Sequence, residues 1–306
     1  MSKVTPDPFF LSFRALVEEY KALATGECNE ARATSSRVAA YIDAQLAMIE
    51  ELKAREQAGR PVPHASEAVV LMTGLQGYTL LQRAPWLDAD VRARLETLAG
   101  WPMYLERGPY RFTADFGTHH QLRWAKEYAA IAHRPSLRAV EIGVFEGMTS
   151  TWLLDNVLTD PTSRLICVDA FEPPRNVDNY AFARRANAPT PEQLFDANIA
   201  ASSGASKVQK IAAYSGVALR TLPVDTFDLV YVDGSHLAPD VLEDAILVWR
   251  MLKVGALVTF DDYGWELPVD PLERPQPALD AFMTIFAGKF ELVHKSWQLT
   301  LRKLRA

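Results

Sequence analysis

The chain has 306 residues, of which 49% are hydrophobic and 23% charged, the ordinary balance of a globular protein with a substantial core. Its formal net charge is −6, from 32 basic and 38 acidic side chains, so nonspecific binding to nucleic acid has no electrostatic driving force. No stretch is apolar enough for a membrane span, the N-terminus lacks the layout of a signal peptide, and the two cysteines form no metal or disulfide pattern. We therefore expect a cytoplasmic protein that acts neither on nucleic acid nor at a membrane.

The first third of the chain has the apolar spacing of helices. Hydrophobic residues recur at three- and four-residue steps through residues 38–52, and Ser66 and Asp88 fit the preferences of helix N-caps. We expect residues 1–112 to form a helical N-terminal region, which either helps the protein to form a homo-oligomer or covers an acceptor site.

After residue 112, short apolar runs alternate with helical patterns. This alternation predicts a parallel sheet with helices on both faces. Residues 289–303 contain two strand-like runs with a tight connection, which favours an antiparallel hairpin. The expected fold is therefore α/β, with five parallel strands and a C-terminal antiparallel hairpin, over residues 113–306. The predicted parallel strands are 138–143, 164–170, 207–213, 227–234 and 256–262.

The loop after the first predicted strand contains two glycines. Gly143 and Gly147 follow Glu141 in an E-x-G-x-x-x-G spacing. Phe145 and Met148 stand where a dinucleotide-binding fingerprint needs glycine, which disfavours a nicotinamide-dependent dehydrogenase. The acidic residue ahead of the glycines favours a ligand that carries positive charge and no phosphate, although an ordinary tight turn also fits the pattern.

The second predicted strand ends in Asp169, where a carboxylate can accept both hydroxyls of a ribose. With this residue the segment from Thr118 to Lys303 resembles a class I S-adenosylmethionine-dependent methyltransferase, a Rossmann-like fold whose reversed last strand matches the terminal hairpin. In that family the first motif holds the methionine portion of the cofactor, and the acidic end of the second strand holds the ribose. The resemblance implies S-adenosylmethionine as the cofactor, with contacts from Glu141, Gly143, Gly147, Ser150, Asp169, Ser215 and Asp233.

Carboxylates also stand at the ends of the fourth and fifth predicted strands. Asp261 and Asp262 lie 28 and 29 residues after Asp233, and the ends of parallel strands line one crevice. Three carboxylates in one crevice cannot all stay ionised without a cation. Because all-oxygen ligands favour Mg²⁺ or a similar hard ion over zinc, the sequence predicts a metal site formed by Asp233, Asp261 and Asp262.

This arrangement resembles the metal-dependent O-methyltransferases of the catechol and antibiotic-sugar types. In those enzymes acidic residues at these strand ends hold Mg²⁺, which chelates two neighbouring substrate oxygens. The catechol type has a lysine base three residues after the first ligand, whereas this chain has His236 there, as in the macrolide-sugar enzymes. The resemblance implies that His236 acts as the base and Asp233 as its catalytic neighbour. The implied acceptor is a small hydroxylated metabolite, either a natural-product sugar or an aromatic compound.

Other interpretations remain open for the same residues. Asp261 and Asp262 would also suit a turn, and His236 would suit the start of the following helix. His119 and His120 favour a solvated helix start, although both precede the first strand of the sheet. The alternative functions are a metal-independent N-, C- or O-methyltransferase and a non-catalytic cofactor-binding partner protein.

Overall fold

The computed structural model describes residues 89–90, 93, 105–113, 116–172, 189–265 and 270–305. Ser66, Asp88 and almost all of the predicted helical N-terminal region lie outside the described residues. From β1 onward, the described residues belong to one compact unit, Tyr104–Ala306. The division into a helical region and a catalytic domain at residue 112 stays a prediction.

A two-stranded antiparallel hairpin precedes the main sheet. Its strands are β1 (Leu105–Arg107) and β2 (Tyr110–Phe112). The expectation that helix continues to residue 112 is wrong for this segment. The physical reason is its turn: Gly108 adopts a φ of +58° and is followed by Pro109, and together these residues stop a helix and reverse the chain.

A seven-stranded sheet forms the centre of the described unit, with the order β5-β4-β3-β6-β7-β9-β8. Neighbours from β5 to β7 pair in parallel, whereas β9 is antiparallel to both β7 and β8. This topology confirms the predicted set of five parallel strands with an antiparallel C-terminal hairpin. The strands are β3 (Arg138–Ile142), β4 (Arg164–Asp169), β5 (Val208–Ala212), β6 (Phe227–Val232), β7 (Leu252–Phe260), β8 (Phe290–Lys295) and β9 (Leu299–Lys303).

Helices cover both faces of this sheet. Successive residues of each strand point to opposite sides, and the apolar residues on both sides are buried. Leu229 of β6 packs in one apolar cluster with Trp124 and Leu153, and its neighbour Val230 packs in a second cluster with Val248. None of the described helices combines the length and hydropathy that a membrane span requires. The helices are α1 (Gln121–Glu127), α2 (Met148–Asn156), α3 (Pro191–Ala201), α4 (Ser215–Ala218), α5 (Ala238–Met251) and α6 (Pro275–Ile285).

Candidate active site

The candidate site lies at the carboxyl edge of the parallel strands, around the point where the strand order reverses. β3 has β4 on one side and β6 on the other, the position at which open α/β sheets bind ligands. Backbone hydrogen bonds continue past the strand ends and hold the following residues at this edge. These bonds run from Gly143 N to Val168 O (2.8 Å), from Asp233 N to Ile142 O (2.7 Å) and from Asp261 N to Val232 O (2.8 Å).

Both predicted glycines occupy positions where a side chain would be costly. Gly143 has a φ of +77°, and a Cβ there would lie 1.8 Å from the carbonyl oxygen of Asp233. Gly147 has a φ of +83° and precedes α2, where a Cβ would lie 3.0 Å from the ring of Phe195. The glycines therefore allow the loop after β3 to pack against the loop after β6, while their contact with the cofactor stays a prediction.

Glu141 is a buried carboxyl group behind this loop, with only 1% of its surface exposed. The Ser150 hydroxyl donates a hydrogen bond of 2.6 Å to its Oε2. Burial raises the pKa of Glu141 to about 8, and the carboxylates of Asp233 and Asp169 add to the shift. A ligand with a positively charged group would favour the ionised form of this side chain.

Asp169 braces the loop from the end of β4. Its Oδ2 accepts the Phe145 N–H at 2.9 Å, and its Oδ1 accepts the Phe171 N–H at 2.7 Å. Burial raises the pKa of Asp169, and the backbone hydrogen bonds oppose that shift. The carboxylate therefore fixes the backbone of the loops that follow β3 and β4, and its contact with a ribose stays a prediction.

Ser215 begins α4 and lies near a carboxyl group that the sequence analysis missed. This group is Asp244 of α5, which is 1% exposed and whose Oδ2 has no hydrogen-bond partner among the described residues. Burial raises the pKa of Asp244 to about 7, and the nearby hydroxyl of Ser215 opposes the shift. The available signal was an acidic residue on the apolar face of an amphipathic helix, between Val241 and Val248.

Asp233, His236 and Asp262 converge at the ends of β6 and β7. One potential ligand atom from each lies within 4.8 Å of the others. The Nε2 of His236 lies 3.0 Å from Oδ2 of Asp262 and 3.9 Å from Oδ1 of Asp233. Burial raises the pKa of Asp233 to about 6. Burial disfavours the charged imidazole, but the two carboxylates outweigh it and raise the pKa of His236 to about 10.

The carboxylate of Asp261 makes different contacts from that of its neighbour. Its Oδ1 accepts the backbone N–H of Asp262 at 2.7 Å, and its Oδ2 accepts the hydroxyl of Tyr231. Burial and the nearby carboxylates of Asp233 and Asp262 raise its pKa well above the usual range. The structure does not bring Asp261 into the three-residue cluster, and its role as a metal ligand stays a prediction.

His120 lies beside Asp261 rather than in solvent. It is 6% exposed, its Nε2 is 4.0 Å from Oδ1 of Asp261, and its ring packs on Trp124 at 5.6 Å. The expectation of a solvated helix start is therefore wrong for His120, because the aromatic side chain of α1 and the end of β7 enclose it. The side chain of His119 lies outside the described residues.

Two further residues at this edge have no counterpart in the sequence analysis. The Trp265 ring packs edge-on against His236 with centroids 4.6 Å apart. Gln298 donates from Nε2 to the hydroxyl of Tyr231 at 2.8 Å and accepts the Trp124 Nε1–H at 2.9 Å. A sequence signal existed for the contact between Gln298 and Tyr231, because the hydroxyl of a tyrosine within a buried strand needs a polar partner.

The donor set at the ends of β6 and β7 fits a divalent cation. Asp233 and Asp262 supply carboxylate oxygens from two adjacent strands, which suits Mg²⁺ or Mn²⁺. His236 supplies a nitrogen within the same distance, and a nitrogen ligand would shift the preference from Mg²⁺ towards a transition metal. The residues present therefore fit the predicted metal site, with two of its three predicted ligands in the cluster.

Residues 140–263 match the family model described as a methyltransferase domain. A search of curated proteins found no match to this chain. Among solved structures, a protein from Corynebacterium glutamicum is similar, with 18% identity over 74% of this chain and 95% of that chain and a TM-score of 0.44. The O-methyltransferase TomG of Streptomyces achromogenes, involved in tomaymycin synthesis, is 18% identical over 78% of this chain and 90% of its own, with a TM-score of 0.43.

CalS11, a TDP-rhamnose 3′-O-methyltransferase of calicheamicin biosynthesis, is 16% identical over 76% of this chain and 93% of its own, with a TM-score of 0.42. At TM-scores below 0.5 these similarities carry no argument about the activity of this chain. The family match covers β3 to the loop after β7, which includes both glycines, Asp169 and the cluster of Asp233, His236 and Asp262. This part of the chain is therefore similar to a methyltransferase domain.

Proposed function

We propose that the protein transfers the methyl group of S-adenosylmethionine to a hydroxyl oxygen of a small metabolite, with the help of a divalent cation. The observation that carries the proposal is the cluster of Asp233, His236 and Asp262 at the carboxyl ends of two adjacent strands. A methyl transfer that needed only binding of the two reactants would have no use for two carboxylates and an imidazole in one crevice. Deprotonation of a hydroxyl does have such a use.

Each residue of the cluster has a separate task in this proposal. Asp233 and Asp262 hold the cation, which when bound lowers the pKa of a coordinated hydroxyl and fixes its orientation. The two carboxylates keep His236 protonated when they face it alone. With a cation on Asp233 and Asp262 its imidazole would be neutral, and it would then accept the hydroxyl proton at Nε2, the nitrogen that lies near both carboxylates. The acceptor oxygen then forms a bond to the methyl carbon as the carbon–sulfur bond breaks, which leaves S-adenosylhomocysteine. The neighbouring carboxylates stabilise the imidazolium that results.

The acceptor class we infer is a sugar or aromatic compound with two neighbouring oxygens. The motif at positions 233, 236, 261 and 262 resembles that of enzymes that act on such acceptors. Trp265 adds support, because its ring packs against His236 and gives the reacting edge an apolar wall. Flat apolar faces of aromatic rings and sugars pack well against such a side chain.

The test measures metal binding and methyl transfer separately. We expect Mg²⁺ or Mn²⁺ to bind to the S-adenosylhomocysteine complex in calorimetry with about one ion per chain. Transfer of radioactive methyl from S-adenosylmethionine to a panel of catechols and sugars should fall at least 100-fold with EDTA and return with metal. Asp262→Asn should abolish metal binding and lower transfer at least 100-fold, while the affinity for S-adenosylhomocysteine changes less than threefold.

Asp228→Asn is the matched control for this experiment. Asp228 lies near the start of β6, at the opposite end of the strand from Asp233. It pairs there with Lys253 of β7. This variant should bind metal and transfer methyl like the wild type. Full activity of Asp262→Asn in the presence of EDTA would contradict the cation-dependent mechanism, and no turnover on any acceptor would favour a non-catalytic cofactor-binding protein.

A second candidate, a metal-independent methyltransferase, is favoured by one contact. His236 Nε2 lies 3.0 Å from Oδ2 of Asp262, so a protonated imidazole already balances one carboxylate without a metal ion. In this candidate His236 and Asp262 act as an acid–base pair, and Asp261 has only a structural role. Its signature would be methyl transfer that is unaffected by EDTA yet is lost in His236→Ala.

A further inference from the structure

The β1–β2 hairpin is attached to the loop that carries the two glycines, although it lies outside the main sheet. The attachment centres on Glu146, which lies between the glycines and is 1% exposed. Its Oε2 accepts the backbone N–H of Thr113 at 2.6 Å, and its Oε1 accepts the hydroxyl of Thr113. A buried carboxylate that receives two hydrogen bonds from one residue holds that residue in a defined position.

Asn198 of α3 makes a second attachment at the same place. Its Nδ2 donates to the carbonyl oxygens of Arg111 and Glu146, each at 2.8 Å, and its Oδ1 accepts the N–H of Arg111 at 2.8 Å. The side chain is 2% exposed and uses both its amide hydrogens and its oxygen. One residue therefore fixes the hairpin strand β2 and the backbone of the glycine loop to the same helix.

The loop itself adopts a conformation that needs such support. Phe145 has a φ of +47° and Gly147 a φ of +83°, so left-handed residues flank Glu146 on both sides. The Cβ of a non-glycine residue makes this region unfavourable, and such a residue persists there only where surrounding contacts hold it. Asp169 supplies one such contact through the Phe145 N–H, and the Glu146 side chain supplies another.

The contact between Phe116 and Phe145 continues the attachment along the chain. Their rings pack edge-on with centroids 5.9 Å apart. Phe145 is thereby held by Asp169 through its backbone and by Phe116 through its ring. Thr113 and Phe116, which lie between β2 and α1, therefore both contact the glycine loop.

We propose that Glu146 is a positioning residue for the cofactor, which holds the loop from Gly143 to Gly147 in its binding conformation by clamping it to Thr113. The proposal rests on binding of S-adenosylmethionine at this loop. It makes the β1–β2 hairpin, which precedes the methyltransferase sheet, a part of the cofactor site. Glu146 would act through the loop backbone and not by touching the cofactor.

The test compares the affinity for S-adenosylhomocysteine among variants of the full chain, by calorimetry well below each melting temperature. Glu146→Ala should weaken binding at least tenfold. Glu146→Gln should recover most of the loss, to within about threefold of the wild type, because its amide oxygen can accept the Thr113 N–H and its NH₂ can donate to the hydroxyl oxygen. Thr113→Val should lose less affinity than Glu146→Ala, because the N–H of residue 113 remains. The Glu146→Ala/Thr113→Val double variant should bind no more weakly than Glu146→Ala alone, because both changes remove the same contact.

Tyr110→Phe provides the matched control. It removes a hydrogen bond of 2.7 Å from the same hairpin to Asp155 of α2 but leaves the glycine loop untouched, so its affinity should stay within twofold of the wild type. Hydrogen–deuterium exchange gives an independent readout. Peptides that contain residues 143–148 should exchange faster in Glu146→Ala, while peptides from β7 and β9 should exchange at the wild-type rate.

The outcomes distinguish the positioning role of Glu146 from the binding of S-adenosylmethionine on which it depends. If the wild type failed to bind S-adenosylhomocysteine, both would be overturned. If the wild type bound it and Glu146→Ala bound it within twofold, with unchanged exchange at residues 143–148, only the positioning role would be overturned. If Glu146→Ala fails to fold, the Glu146→Gln/Thr113→Val double variant replaces it. A loss of affinity in this variant equal to the sum of the two single losses would overturn the positioning role of the Glu146–Thr113 contact.

Discussion

At the scale of single residues, Gly143 is where backbone geometry most directly constrains the sequence. We expect Gly143→Ala to lower the free energy of unfolding by more than about 4 kcal/mol or to prevent folding, because its Cβ would lie 1.8 Å from the backbone oxygen of Asp233. Gly255→Ala is the control, since Gly255 has a φ of +88° but its added Cβ would meet no other atom within 4 Å. It should lose only the left-handed penalty of about 1–2 kcal/mol in urea unfolding.

Glu141 should make the stability of the protein fall as the pH rises. Its pKa is raised from 4.5 to about 8 in the folded protein, so between these values the folded state holds a proton that the unfolded state has lost. The stabilisation is fully present below about pH 4.5 and is lost as the pH approaches 8. Glu141→Gln does not titrate, so its advantage over the wild type should grow with pH by up to about 1.4 kcal/mol per unit.

Urea unfolding at pH 5, 6.5 and 8 would measure this difference. Comparison with the variant cancels the contribution of other groups that titrate in the same window, such as Asp244. Glu291→Gln is the control, because Glu291 is an exposed partner of Arg302 on β9 and should keep the wild-type dependence on pH. Parallel curves for the wild type and Glu141→Gln would show that the buried carboxyl group is not protonated in this range.

At the scale of elements, α3 begins with a complete capping box, which makes its start a local property of the sequence. Thr190 Oγ1 accepts the Gln193 N–H at 3.2 Å, and Gln193 Oε1 accepts the Thr190 N–H at 2.9 Å. Thr190→Ala should therefore lower the free energy of unfolding by about 1 kcal/mol, whereas Thr190→Ser should be nearly neutral. Equal losses in both variants during thermal unfolding would argue that the methyl group, not the cap, matters there.

The elements also show which parts of the fold could be predicted from the sequence. The parallel strands were predictable because buried strands are short apolar runs between turn residues, and their observed bounds lie close to those expected. β7 begins at Leu252, earlier than the predicted 256, because the polar Lys253 and the left-handed Gly255 hide its first residues and its pairing with β6 is irregular there. The β1–β2 hairpin was missed because strands of three residues carry almost no periodic signal.

The candidate site also contains features that the sequence could predict and features that it could not. Positions at the ends of predicted strands belong to the first kind, and side-chain contacts between distant parts of the chain belong to the second. Asp233, His236 and Asp262 were predictable as neighbours, since the ends of parallel strands share one edge. The different contacts of Asp261 involve Tyr231 of β6 and Gln298, which lies just before β9, and no local sequence pattern predicts contacts between residues so far apart in the chain. The Glu146–Thr113 bond joins residues 33 positions apart for the same reason.

At the scale of the whole molecule, cofactor binding should appear as stabilisation of the full chain. S-adenosylhomocysteine at 100 times its Kd should add about 2.7 kcal/mol, a rise in melting temperature of several degrees. The same concentration of NAD should produce no rise, because Phe145 and Met148 stand where dinucleotide binding needs glycine. A shift with NAD alone would contradict the cofactor assignment, and a further rise with Mg²⁺ that EDTA removes would support the cation site.

Some predictions about the whole molecule remain predictions. They are the helical character of the chain ahead of β1, the part of residues 1–112 in forming a homo-oligomer or covering the acceptor, and the cytoplasmic location. Light scattering on the full chain, with and without S-adenosylhomocysteine, would give the mass in solution. A monomer at every concentration would contradict the expected homo-oligomer.

Cys167 offers a way to watch the central sheet open. It lies within β4, is 0% exposed and contacts the Ser150 hydroxyl at 3.7 Å. Burial raises the pKa of its thiol well above the usual range, so both access and thiolate formation are suppressed in the native state. The rate at which an alkylating reagent labels the peptide that contains Cys167 therefore reports how often this part of the sheet opens, and a bound cofactor should slow that labelling in proportion to its occupancy.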